Sequence, residues 1–83
     1  MDTPNDQIDA NVVARFEKNS KEEVRISVET FHGRKIINMR VFYRDDEVWK
    51  PGRQGLALSV DRYKDLADAV LQVGQHLKAN GML

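Results

Sequence analysis

Cysteine is absent from the 83-residue sequence. Disulfide staples and thiolate metal sites are thereby excluded, and the absence fits a reducing compartment. No apolar run approaches the ~18 residues needed to cross a bilayer. The N-terminus lacks the charged-then-apolar pattern of a secretion signal. A soluble, cytoplasmic protein with no membrane partner is the expectation. Net charge is also lacking, with 13 Lys and Arg against 13 Asp and Glu. What remains is a globular composition, 41% hydrophobic and 31% charged, enough for one small domain. So small a core is marginal alone, and oligomerisation is the usual remedy where disulfides are missing.

The charge is unevenly spread. Residues 1–14 hold Asp2, Asp6 and Asp9 and no base. Residues 24–55 hold seven bases (Arg25, Arg34, Lys35, Arg40, Arg44, Lys50, Arg53) against four acids (Glu29, Asp45, Asp46, Glu47). A local surplus of this kind says more about partners than the total does.

Residues 1–7 are polar and are expected to be disordered. Ile8, Val12, Val13 and Phe16 recur at helical spacing, so residues 1–21 read as a frayed tail or a short amphipathic helix. From Val24 the period changes to two. Val24, Ile26 and Val28 alternate with Arg25, Ser27 and Glu29, the pattern of a half-buried strand whose polar row faces outward. His32-Gly33 is a turn signal. A second strand runs from about Arg34 to Arg44, with Ile37, Met39, Val41 and Tyr43 on one face. Ile36 and Phe42 share the other face with Asn38 and Arg40, so both faces carry apolar surface or a bulge intervenes. Asp45-Asp46-Glu47 reads as a turn, 48–50 as a third strand stopped by Pro51-Gly52, and 55–58 as a fourth. Ser59 is a good N-cap for a helix that should end near Lys78, with Gly81 beyond the stop. The fold class is α+β, four strands followed by one C-terminal helix. A folded domain over 22–80 and a C-terminal tail of 81–83 are expected.

Catalysis finds little support. His32 and His76 have no paired nucleophile. Asp45-Asp46-Glu47 lacks the alternate ligands and glycine of a calcium loop. No enzyme activity, cofactor or metal is expected. Lys50-Pro51-Gly52-Arg53-Gln54-Gly55 enters a strand, so it is not a phosphate loop opening a helix. It presents two bases on a stiff turn, which is either a surface turn with incidental charge or a grip on a phosphate backbone. Phe31 tips the balance. It has the parity of Arg25, Ser27 and Glu29, away from the apolar row, and sits beside Arg34 and Lys35. An outward aromatic among bases is the stacking platform of single-strand binders.

The stretches Val24–Lys35, Ile37–Arg40 and Lys50–Leu58 together resemble the C-terminal domain of the transcriptional positive cofactor four family, a Whirly-like fold. The Lys-Pro-Gly-Arg-x-Gly element is the most specific part. The resemblance implies a strongly curved antiparallel sheet, a homodimer through the C-terminal helix, and single-stranded DNA along concave β-surfaces. It implies that Phe31 and Tyr43 stack on bases and that Arg34, Arg40, Lys50 and Arg53 contact the strand, with Lys35 adjoining them. Glu22, Glu29 and Gln54 depart from the family, standing where its eukaryotic members often carry bases.

The expected function is therefore homodimeric, weakly selective binding of single-stranded DNA, in transcription or in replication and repair. The partners implied are single-stranded DNA, RNA or melted duplex, a second copy, and the transcription machinery. A bacterial member would lie at the nucleoid. Two alternatives stay open: a dimeric protein-interaction module, and a binder of RNA or duplex DNA.

Overall fold

The computed structural model describes residues 11–83. The expectations placed on residues 1–10, disorder of 1–7 and a helical Ile8 included, lie outside the described residues. Four antiparallel strands form one open sheet in sequence order: β1 (Val12–Asn19), β2 (Glu22–Phe31), β3 (Arg34–Asp45) and β4 (Val48–Ser59). A 3-10 turn (Val60–Arg62) leads into helix α1 (Tyr63–Ala79).

Two elements differ from the sequence reading. Val12–Asn19 is a strand, not a tail or a helix. It pairs with β2 from Val12↔Ser27 to Asn19↔Glu22, and its register slips between Val12 and Ala14 and again between Glu17 and Asn19. Those slips blur the two-residue period, which leaves the helical spacing as the only pattern visible in the sequence. The unpaired edge of β2 supplies the backbone partners that overrule local preference. Pro51-Gly52 likewise does not end a strand. β4 continues through it to Ser59, because β4 lies at the sheet edge, where a proline is tolerated.

The irregularity at Pro51-Gly52 is taken up in the register. Arg40 pairs with Gly55 and Phe42 with Pro51, so Val41 alone faces Gly52, Arg53 and Gln54. The backbone closes tightly there. A Cβ at Gly52 would lie 2.8 Å from the Val41 carbonyl oxygen, and one at Gly55 would lie 2.9 Å from that of Met39. Glycine is required at both places by contact. At His32-Gly33, with φ of 52° and 77°, positive φ is the reason, in keeping with a tight two-residue hairpin. Asp46 and Glu47 turn the next hairpin with φ of 52° and 68° and no glycine.

The helix is ended as expected. Gly81 has φ of 71°. Its N–H bonds the Lys78 carbonyl at 3.2 Å, and the Met82 N–H reaches back to Leu77 at 2.8 Å, which closes the last turn. At the other end the Ser59 hydroxyl accepts from the Asp61 N–H at 3.2 Å, so Ser59 caps the 3-10 turn.

The small core among the described residues lies on the sheet itself. Among those residues, Ile37 and Phe42 are the buried hydrophobic ones, and Arg25 and Ser27 the buried polar ones. This corrects the outward placement of Arg25 and Ser27. Their face also carries Phe42 and Trp49. The Arg25 guanidinium lies 4.2 Å from the Phe42 ring centroid and 5.8 Å from that of Trp49. Glu23 pairs with Arg25, and Arg15 approaches the same carboxylate at 3.6 Å. The helix makes its principal contact with the 3-10 turn, and none of its residues is buried. Tyr63, Val70, Leu71 and Val73 stand exposed on it.

Candidate nucleic-acid interface

The seven residues singled out in the sequence fall into two groups at opposite ends of the β2–β3 hairpin. Phe31, Arg34 and Lys35 flank the His32-Gly33 turn, where Phe31 pairs with Arg34 in the ladder. Phe31 is 61% exposed. Its ring meets His32 edge-on, with centroids 4.2 Å apart. Arg34 and Lys35 border a hollow closed by Ser59, Val60 and Asp61, so the 3-10 turn adjoins this group.

Tyr43 stands at the far end of β3, nine residues from Arg34. At ~3.3 Å per residue this is about 30 Å along the strand. The β2–β3 register runs without a slip from Phe31↔Arg34 to Glu22↔Tyr43. An odd separation therefore sets Tyr43 on the face opposite to Phe31. The chain does not bring Phe31 and Tyr43 together on one surface.

Around Tyr43 the residues do converge. A cleft of about 350 Å³ is lined by Tyr43, Glu22, Val41, Arg53 and the Pro51-Gly52 segment, with Gln54. It continues into an apolar hollow along Val24, Met39 and Leu56, with Val41 and Gln54 common to both. The irregular part of β4 makes this possible, because the three residues facing Val41 carry Arg53 and Gln54 to the rim. Arg40 braces it from behind. Its Nη1 donates to the Gly52 carbonyl at 3.0 Å, so one end of its guanidinium is committed to the backbone. Lys50 is opposite Tyr43 in the β3–β4 ladder, and Nζ donates to Asp45 Oδ2 at 2.9 Å. That hydrogen bond, followed by the carboxylate's charge, raises the Lys50 pKa above its ordinary 10.5.

Two residues matter here that sequence reasoning placed elsewhere. Arg25 is the most buried polar side chain among the described residues and supports the face that bears Phe42 and Trp49. Glu22, noted in the sequence only as a missing base, is directly opposite Tyr43 and lines its cleft. Its Oε1 accepts from Lys18 Nζ at 3.0 Å and from Asn19 Nδ2 at 2.8 Å. The Asn19 bond, then Lys18, lowers the Glu22 pKa below 4.5. The signal that finds Glu22 is the register: counting back from the His32-Gly33 turn pairs it with Tyr43. Among the described residues, no group of three or more His, Asp or Glu could hold a metal ion. No helix among them is long and apolar enough to cross a membrane.

An open antiparallel sheet followed by one helix, with aromatics and bases displayed on the sheet surface, defines a small α+β surface-presenting domain. The family model described as Transcriptional Coactivator p15 (PC4) matches residues 18–69, and the chain belongs to that family. It is 39% identical over 61 residues to the RNA polymerase II transcriptional coactivator KIWI of Arabidopsis thaliana, which covers 74% of this chain and 53% of the relative. A putative RNA polymerase II transcriptional coactivator of Neurospora crassa is 32% identical over 57 residues, covering 69% of this chain and 33% of its own length. The chain thus spans about half or less of the curated relatives it matches. Among solved structures, a PC4 homologue from Burkholderia pseudomallei superposes with a TM-score of 0.71 at 23% identity, covering 76% of this chain and 86% of that one. MoSub1, solved in complex with DNA, superposes with a TM-score of 0.57 at 31% identity, covering 82% of this chain and 84% of that one.

Proposed function

We propose that this chain is a binding module that holds single-stranded DNA with weak sequence preference, as a homodimer, in transcription or in replication and repair. One observation carries the reading: each end of the β2–β3 hairpin displays an exposed aromatic beside an arginine, Phe31 with Arg34 and Tyr43 with Arg53. Bases stack on the rings and phosphates meet the guanidiniums. The relatives named as transcriptional coactivators and the MoSub1 complex with single-stranded DNA support it. The module acts in the cytoplasm, at the nucleoid if the source is bacterial.

The helix supports the dimer. Tyr63, Val70, Leu71 and Val73 are large apolar side chains left uncovered by their own sheet, and exposure of this kind marks an association surface. A second copy brings its own pair of platforms, which gives a strand more than two places to rest. The same stripe favours, as a second reading, a dimeric adaptor for proteins.

Fluorescence anisotropy with a labelled oligothymidine, repeated across salt concentrations, tests the proposal. The affinity should fall with a log–log slope of about −0.7 per phosphate contacted. No binding at low salt, or a constant indifferent to salt, overturns it. Competition with RNA and with duplex DNA of matched length sets the preference among nucleic acids.

A further inference from the structure

Glu22 is out of place in a phosphate-binding surface. It lies directly across the ladder from Tyr43 and lines the same cleft as Arg53. On the other side of Tyr43 the ladder places Lys50. The ring therefore has an acid on one flank and a base on the other. The carboxylate is also held still. Lys18 and Asn19 both bond Oε1, and Asn19 is itself anchored by accepting from the Lys21 N–H at 2.9 Å. Among the described residues nothing donates to Oε2.

We propose that Glu22 is a base-reading residue, which gives the Tyr43 site a preference for guanine over thymine in single-stranded DNA. This rests on the proposed single-strand binding. A nucleotide whose base stacks on Tyr43 and whose phosphate turns to Arg53 and Lys50 directs its base edge to the remaining flank, where Glu22 stands. A carboxylate can only accept hydrogen bonds. Guanine presents two adjacent donors on its pairing edge, N1–H and the N2 amino group, and Oε2 has lone pairs for them. Thymine presents a single N3–H between two carbonyl oxygens, which an anion repels. The tether matters because an acceptor fixed before binding loses little freedom when the base arrives. A mobile surface glutamate would swing away and read nothing.

Asn19 is then a positioning residue. It touches no base, yet it fixes the acceptor that does. Lys18 shares this role through its own bond to Oε1.

The test is competition between two oligonucleotides of equal length against the full chain. One is all thymidine; the other carries isolated guanines between thymidines, with no guanine runs. The wild type should favour the second by roughly tenfold, the discrimination of one good base-edge contact. Deoxyinosine in place of guanine keeps N1–H, lacks the amino group, and should fall between. Glu22→Gln should tighten binding to all-thymidine, weaken binding to the guanine strand, and bring the ratio near one. Asn19→Ala should reduce the ratio while leaving thymidine binding unchanged, and it keeps the test open if Glu22→Gln fails to fold. A wild type without preference overturns the inference. So does a Glu22→Gln protein that keeps the full ratio, or one that gains affinity for both strands by the same factor, since Glu22 is then only a repelling charge. Failure of the underlying reading looks different: neither strand binds at low salt.

Discussion

The guanidinium of Arg25 lies 4.2 Å over the ring of Phe42, and Arg25 is only 3% exposed. A charge this deep is tolerated because Glu23 neutralises it and two aromatic rings receive it. Removing one partner strands the other, a larger loss than the pair itself contributes. Arg25→Ala is expected to destabilise the fold by about 3 kcal/mol, measured by the urea midpoint. Arg25→Lys should recover little, because an ammonium lacks the flat face that stacks. A loss within ~0.5 kcal/mol, the range of ordinary surface changes, contradicts a structural role.

Gly52 and Gly55 respond to added bulk rather than to lost conformational freedom. Their added methyls would meet the Val41 and Met39 carbonyls at 2.8 and 2.9 Å. Each Gly→Ala change should cost about 1–3 kcal/mol, in the range of overpacked sites. Since Gly52 also accepts from Arg40 and lines the Tyr43 cleft, Gly52→Ala should weaken single-strand binding as well. Unfolding and oligonucleotide titrations on the same samples check both.

Glu47 offers a gain. It holds φ of 68° without being glycine, and a side chain in that region costs roughly 1–2 kcal/mol. Glu47→Gly makes the turn Asp-Gly, the sequence such hairpins prefer. Part of the relief returns as unfolded-chain entropy, so a net stabilisation of about 0.5–1 kcal/mol is expected. A lower melting temperature counts against this account of the turn.

The two aromatics should behave alike in binding although they lie on opposite faces. Phe31→Ala and Tyr43→Ala should each weaken single-strand affinity by ~1–3 kcal/mol and leave the circular dichroism spectrum intact, since Phe31 is 61% and Tyr43 41% exposed and neither is buried. Arg53→Gln should reduce the salt slope by ~0.7. An unfolded Phe31→Ala protein means that the ring is structural.

Acid should release Glu22. Its pKa is lowered first by the Asn19 bond and then by Lys18. A depressed folded-state value means that the tether stabilises fully above 4.5 and is lost as pH falls through the folded-state value below it. A carboxyl-carbon NMR titration should place the Glu22 midpoint below 4.5, and Asn19→Ala should move it upward. No upward movement means that the side-chain amide is not the cause.

Much of this was legible in the residues. The alternation from Val24, the His32-Gly33 turn and the Gly81 stop are local signals, and the structure keeps each of them, whereas Ser59 caps the 3-10 turn and not the helix itself, whose N-cap is Arg62. Phe31 is exposed as expected, yet its row-mates Arg25 and Ser27 are buried, so its place at the end of the hairpin, not its parity, frees the ring. The misses share a cause, which is that they depend on a neighbour in space. Strand β1 exists because β2 has an edge to offer, and its slipped register hid the strand period. β4 is continuous because it lies at the sheet edge, which no local pattern around Pro51 reveals. Arg25 was read as outward because the period of β2 says nothing of Phe42 and Trp49 across the sheet. Glu22 became part of the candidate site only once the ladder paired it with Tyr43.

The uneven stretch of β4 has a bearing on solubility too. A sheet edge is a template on which a foreign strand can be laid, the first step of fibrous aggregation. Along β4 that template is broken: Pro51 has no N–H to lend, and Gly52, Arg53 and Gln54 together answer to Val41 alone. An incoming backbone finds the row interrupted in the middle of this edge. Endless backbone stacking is thereby hindered at this edge, and the proposed pairing through the side chains of the helix would by contrast close on itself once two copies had met.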